Sequence, residues 1–185
     1  MAGRLRVLLL LLALLLPAGV RAQDAAIADL VVANSPRQLL LYLAVKNAFS
    51  PEMEEAVRNG IGATFTFSVE LYKVRGGLPD RRIAAVSFDH ILSYDNLKDE
   101  FTVILGEHGS RRVRVRDIDR AKKLMVEVNE APVCDLEVLE PDADYTLRAK
   151  ALLDRRTLPF KLHYLMPFLS LWDFNTDWYS LSFRY

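Results

Sequence analysis

The chain has 185 residues, 51% of them hydrophobic, with 24 basic and 24 acidic side chains and one cysteine. A length of this order suits one domain with a core that holds without staples, and a charge balance near zero lacks the basic surplus that phosphate binding demands. One cysteine allows no internal disulfide, and with three scattered histidines it offers no zinc-type ligand set.

Residues 1–22 read as a targeting segment. Arg4 and Arg6 precede an unbroken apolar run from Val7 to Leu16, Pro17 stops it, and Val20 and Ala22 give the small-residue spacing a signal peptidase reads. A spanning helix needs about 20 apolar residues, so cleavage is expected rather than anchoring. No cysteine follows the run, which argues against a lipoprotein. Cleavage removes Arg4, Arg6 and Arg21; taking these three from 24 basic residues leaves 21 against 24 acidic, a net charge of about −3. The expected location is the periplasm, nucleic acid is not an expected partner, and residues 23–185 are expected to form a single domain.

Strand patterns dominate the rest of the chain. IADLVVA (27–33) and QLLLYLAVKN (38–47) come first, each bounded by turn-type residues. SPEMEEAVRNG then changes the period: Ser50 is placed to cap a helix, Pro51 suits its first position, Met53, Ala56 and Val57 share a stripe, and Gly60 suits a left-handed end. In ATFTFSVELYKV (63–74), Phe65, Phe67, Val69 and Leu71 fall on one face and Thr64, Thr66, Ser68 and Glu70 on the other, the signature of a half-buried antiparallel strand.

IAAVSFDHILSY (83–94), EFTVIL (100–105) and RRVRVR (111–116) continue the strand pattern. A second helix is expected in DIDRAKKLMVEV, with Ile118, Ala121, Leu124, Met125 and Val128 at helical spacing and Asp117 and Asp119 at the positive end of its dipole. DYTLRAKALL (144–153) and the terminal WYSLSFRY are further strands. Between Thr157 and Trp178, Pro159 and Pro167 interrupt any long helix or central strand. This stretch is too apolar for a solvated loop, so it is expected to wrap a sheet edge and bury Leu162, Leu165, Phe168 and Leu171.

The expected fold is therefore mainly β: a two-layer antiparallel β-sandwich, immunoglobulin-like, with two short helices. The alternating aromatics of WYSLSFRY also fit the closing strand of an outer-membrane barrel. Against a barrel stand the two amphipathic helices, the proline-interrupted stretch, and QLLLYLAV, which has no polar face for a lumen. In a sandwich the last strand is expected to pair inside the sheet, with Tyr179, Leu181 and Phe183 filling the core.

Several runs carry a family resemblance. EMEEAVRNGIGATFTFSVELYKVR, then LSYDNLKDEFTV, then DYTLRAKALLDRRTLPF, then Trp172 and a closing DWYSLSF occur in that order. The chain resembles the bacterial family named domain of unknown function 4390, from about Leu30 to Tyr185. The resemblance implies a small exported protein of a Gram-negative envelope with no established activity and no catalytic residues to carry over. It also implies a gene neighbour encoding a membrane sensor histidine kinase, which makes that kinase the envelope protein to test as a partner.

Asp89 and His90 are adjacent on a predicted strand, so they point to opposite faces and cannot form a simple acid-base pair. His90 shares a side with Phe88 and Leu92 and is expected to be half-buried and hydrogen-bonded, with no partner for proton transfer supplied by the sequence. Tyr94 and Asp95 end that strand in a turn whose Asp and Asn side chains bond local backbone. Cys134 is expected to be a small buried hydrophobe.

Arg112, Arg114 and Arg116 form a basic stripe on one face, opposite Val113 and Val115. Such a stripe protects an edge strand against sheet-to-sheet aggregation, and it also suits docking to anionic lipid headgroups or an acidic partner. Trp172 and Trp178 flank DFNTD and are expected in core or rim packing, or in a partner groove. No strained serine elbow and no glycine-rich phosphate loop occurs. The expected role is a non-enzymatic, cofactor-free interaction module, with a lipid or small-ligand carrier pocket beneath residues 157–172 as the alternative beside the barrel.

Overall fold

The computed structural model describes residues 25–154 and 175–185. The targeting segment and the proline-interrupted stretch, with the burial expected for Leu162, Leu165, Phe168 and Leu171, lie outside the described residues. In chain order the elements are β1 (Ala26–Asn34), β2 (Gln38–Lys46), α1 (Pro51–Arg58), β3 (Ala63–Lys73), β4 (Arg81–Asp95), β5 (Glu100–Leu105), β6 (Arg111–Val115), α2 (Ile118–Val126), β7 (Glu127–Asp135), β8 (Asp144–Asp154) and β9 (Tyr179–Arg184). Short 3₁₀ turns at Gly106–His108 and Leu136–Val138 follow β5 and β7.

The described strands make two antiparallel sheets, a three-stranded one ordered β1-β2-β7 and a six-stranded one ordered β6-β5-β4-β3-β8-β9. Alternation explains how they pack. Leu39, Leu41, Leu43 and Val45 of β2, Phe65, Phe67, Val69 and Leu71 of β3, and Tyr145, Leu147 and Ala149 of β8 are buried in one shared core. Each fully buried large side chain contributes about 1.5–3 kcal/mol of transfer free energy. On the outer face of β3 and β4, Thr66, Ser68, Glu70, Ser87 and Asp89 meet water, and Thr66 Oγ1 donates to Asp89 Oδ1 at 2.7 Å. Two separate sheets facing each other across a filled interior make a sandwich rather than one sheet closed around a lumen.

The helix signals act where the sequence places them. Ser50 Oγ accepts the Met53 N–H at 3.3 Å, Pro51 starts α1, and Met53, Ala56 and Val57 are buried. Asp117 caps α2 by accepting from the N–H groups of Asp119 and Arg120. Lys122 ties the two helices together, reaching Glu54 at 2.6 Å and Asp119 at 2.8 Å. Those two carboxylates raise the Lys122 pKa above the ordinary lysine value, Asp119 most strongly.

The fold corrects three expectations. Helix α2 stops at Val126 and the chain runs straight into β7, so Val128 is buried from a strand and not from the helix. That strand is masked in the sequence by Pro132, which β7 accommodates as an outer strand of its sheet among the described residues. Cys134 is only half-buried there, and partial burial pushes its thiol pKa up. Finally, β9 is the outermost strand of its sheet among the described residues: Leu181 and Phe183 are half-buried, whereas Tyr179 is 46% exposed. Tyr179 stands at the first position of β9, opposite Ala149, whereas Leu181 and Phe183 further along the strand pack against the core.

At the turn into β8, the fully buried Tyr145 accepts the Glu140 N–H on its hydroxyl at 2.8 Å, pinning the β7–β8 connection to the core. Glu140 in turn pairs with Lys73 and lies 3.5 Å from Arg81. The Lys73 ammonium holds its carboxyl below the ordinary range.

Candidate functional site

Arg112 and Arg114 sit on β6, which pairs only with β5 and forms the other margin of the six-stranded sheet among the described residues. Alternation turns both outward with Arg111 and Arg116 also exposed, while Val113 is half-buried and Val115 buried on the opposite side. Arg114 Nε lies 3.6 Å from Glu100 on β5, a pair open enough to solvent to hold little energy. Among the described residues Arg112 and Arg116 make no ion pair.

Beneath this margin lies a feature that the residue pattern alone does not announce. His90 on β4 is 0% exposed rather than half-buried, and its Nε2 lies 2.8 Å from Glu107 Oε2, a carboxylate whose side chain is 1% exposed. On its other side Nδ1 lies 3.1 Å from the Met125 carbonyl in α2. A carbonyl oxygen only accepts, so Nδ1 is the donor to Met125, and Nε2 is left to bond the Glu107 carboxyl. The ring also stands edge-on to Phe67 with centroids 4.8 Å apart.

Glycine makes this arrangement possible. A Cβ on Gly106 would lie 2.6 Å from the Asp89 carbonyl oxygen and 2.9 Å from its nitrogen, so only glycine lets the turn after β5 approach β4 closely enough for Glu107 to reach His90. Gly109, at φ +66°, then redirects the chain into β6. Glu107 precedes β6 and Met125 follows it, so a single imidazole fixes the chain on both sides of the arginine strand. The signal in the sequence was GEHG, an acid and a histidine between two glycines in a hairpin loop.

His108 extends this cluster, with Nε2 at 3.8 Å from Glu107 Oε1. The enclosed His90–Glu107 dyad ties the hairpin that leads into β6 to the middle of β4. Among the described residues no three of His, Cys, Asp and Glu converge as a metal ion requires. Asp89, as expected, lies on the outer face away from His90. Asp95 Oδ1 accepts the N–H groups of Leu97 and Lys98, and the Tyr94 hydroxyl donates to Asp99 at 2.6 Å, so that segment is a locally bonded turn.

Trp178 stands far from the arginines in the sheet order, just before β9, at the opposite margin. It is 45% exposed, and Lys150 Nζ sits 5.9 Å from its ring centroid. Trp172 lies outside the described residues. The structure therefore keeps Arg112, Arg114 and Arg116 together and places Trp178 elsewhere.

A family model described as a domain of unknown function, DUF4390, matches residues 22–182. The chain belongs to this family. Neither the curated proteins nor the solved structures yield a match to this DUF4390 member. Family membership assigns it no reaction, so the geometry of its own side chains carries the functional reading. No described helix of this DUF4390 protein is long and apolar enough to cross a membrane.

Proposed function

We propose that this DUF4390 protein is an exported, non-enzymatic interaction module of the bacterial envelope that meets an anionic partner through the arginine-bearing margin of its six-stranded sheet. The observation that carries this reading is the exposure of Arg111, Arg112, Arg114 and Arg116 along a strand that has one neighbour among the described residues. A membrane sensor histidine kinase, through its external part, is the partner protein to test first, and the role is then regulatory. Export rests on the charged and apolar pattern of residues 1–22.

The same reading holds the sandwich to be immunoglobulin-like. Strands β1, β2 and β7 take the places of A, B and E, while β9, β8, β3, β4 and β5 follow the order G, F, C, C′, C″, with β6 added beyond. Tyr145, near the start of the strand in the F place, bonds backbone five residues upstream, as the tyrosine corner of such domains does. Both features support an adhesion-type scaffold whose margins are available for contact.

The test is crosslinking in intact cells followed by identification of what is captured, with Arg112→Glu/Arg114→Glu alongside. The native chain should capture an envelope protein, and the double variant should lose it while remaining folded. Failure to recover any envelope partner above background removes the interaction reading.

A further inference from the structure

We infer that β6 accepts an extended segment of a partner protein as the next strand of the sheet, and that this segment alternates acidic and apolar residues. This rests on the interaction reading above and narrows it to one recognition mode. A strand with one neighbour turns half of its main-chain N–H and C=O groups outward, and an added strand satisfies them; alternate side chains then set specificity. On β6 those side chains are Arg112 and Arg114 on the outer face and Val113 on the inner one.

The spacing specifies the ligand. Arginines two residues apart on a strand repeat at about 6.8 Å, and an extended partner repeats its own alternate side chains at the same interval. Carboxylates on that face can meet successive guanidinium groups, whose planar fork suits bidentate contact. The residues between them face the side of Val113, where apolar groups continue the core margin.

Charge and width select this occupant over two others. A second copy pairing β6 with β6 would set arginine against arginine, and like charges directly opposite destabilise a ladder. An anionic bilayer is a plane, whereas the positive charge here forms a line: on the next strand the same face carries Glu100, Thr102 and Ile104 beside Arg114 and Arg112. The loop before β6 and the helix after it are both held by His90, so the strand is presented ready-formed and loses little further freedom on pairing.

The experiment titrates the full chain with three probes: a synthetic peptide alternating glutamate with valine, a peptide of the same composition with its glutamates in one block and its valines in another, and phosphatidylglycerol vesicles. Fluorescence anisotropy for the peptides and co-flotation for the vesicles read binding, and amide hydrogen exchange reads its place. The alternating peptide should bind and slow exchange within Arg111–Val115, and Arg112→Glu/Arg114→Glu should weaken it by about tenfold or more. Arg112→Gln/Arg114→Gln, with unchanged circular dichroism, controls for folding and should weaken it less.

Equal binding of the two peptides would overturn strand addition in favour of diffuse charge attraction. Binding to vesicles alone would assign the stripe to lipid, and binding to none would leave it as protection against self-pairing; either result overturns the proposal. If cellular crosslinking still captures an envelope protein while the peptides fail, the interaction module stands and only this recognition mode is lost.

Discussion

The two margins of the six-stranded sheet, β6 and β9, share a two-residue alternation and differ in what holds them. On β9 the alternating side chains do the fastening: Phe183 stacks on Tyr145 with centroids 5.8 Å apart, and the Tyr185 backbone exchanges hydrogen bonds with Asp142 and Ala143 at 2.7 and 3.1 Å. On β6 the outward side chains are cationic and fasten almost nothing. That strand is held by its flanks, through Glu107 before it and the Met125 carbonyl after it, both on His90. A margin secured from behind leaves its exposed side chains free for another purpose, whereas one secured by its own aromatics does not.

Removing the hold behind β6 should give the largest effect. Glu107→Ala leaves a buried imidazole facing an empty position and should cost about 3–5 kcal/mol in urea denaturation. Hydrogen exchange should then quicken first at β6 and α2 and not at β9. His90→Leu/Glu107→Met removes both members of the dyad but leaves the Met125 carbonyl without its imidazole donor, so it should recover only part of the loss. A Glu107→Ala cost below about 1 kcal/mol would show that the flanks do not secure the strand.

On the other margin, Phe183→Ala should cost about 2 kcal/mol, less than a full core truncation because the ring is half-buried, with faster exchange confined to β8 and β9. Tyr145→Phe keeps the ring and strands the Glu140 N–H, so a loss of about 1 kcal/mol is expected. Glu140 adds a pH dependence. Its folded pKa is depressed by Lys73, so its contribution is present above the unfolded value of about 4.3 and is lost as pH falls through the lower folded value. Glu140→Gln should therefore flatten the acid limb of stability measured by denaturation from neutral to acid pH. The smallest effect belongs to Arg112→Glu/Arg114→Glu, which should change stability by no more than about 0.5 kcal/mol while altering association.

Where a residue's role depended on its neighbours along the chain, it could be read from the sequence. The alternation of Phe65 to Leu71, the capping by Ser50 and Asp117, and the outward arginines of β6 are local patterns and appear where expected. What failed depended on long-range placement. Strand β7 begins without a break from α2, so the helical period absorbed Val128, and Pro132 disguised the rest. Tyr179 has a strand pattern like that of Phe183, but only sheet order shows that it lies on an outer strand near its open end. Glu107 was invisible as a partner of His90 because 17 positions separate them and only the close approach at Gly106 brings them together.

The edge-on contact between His90 and Phe67 has a practical consequence. An aromatic ring centred 4.8 Å from an imidazole displaces the resonances of that imidazole's protons, while His108, partly open to solvent, makes no aromatic ring contact among the described residues. The protein thus contains a spectroscopic marker of its own at the root of the arginine strand, and a proton spectrum recorded with and without a bound partner can report movement there without any label being introduced.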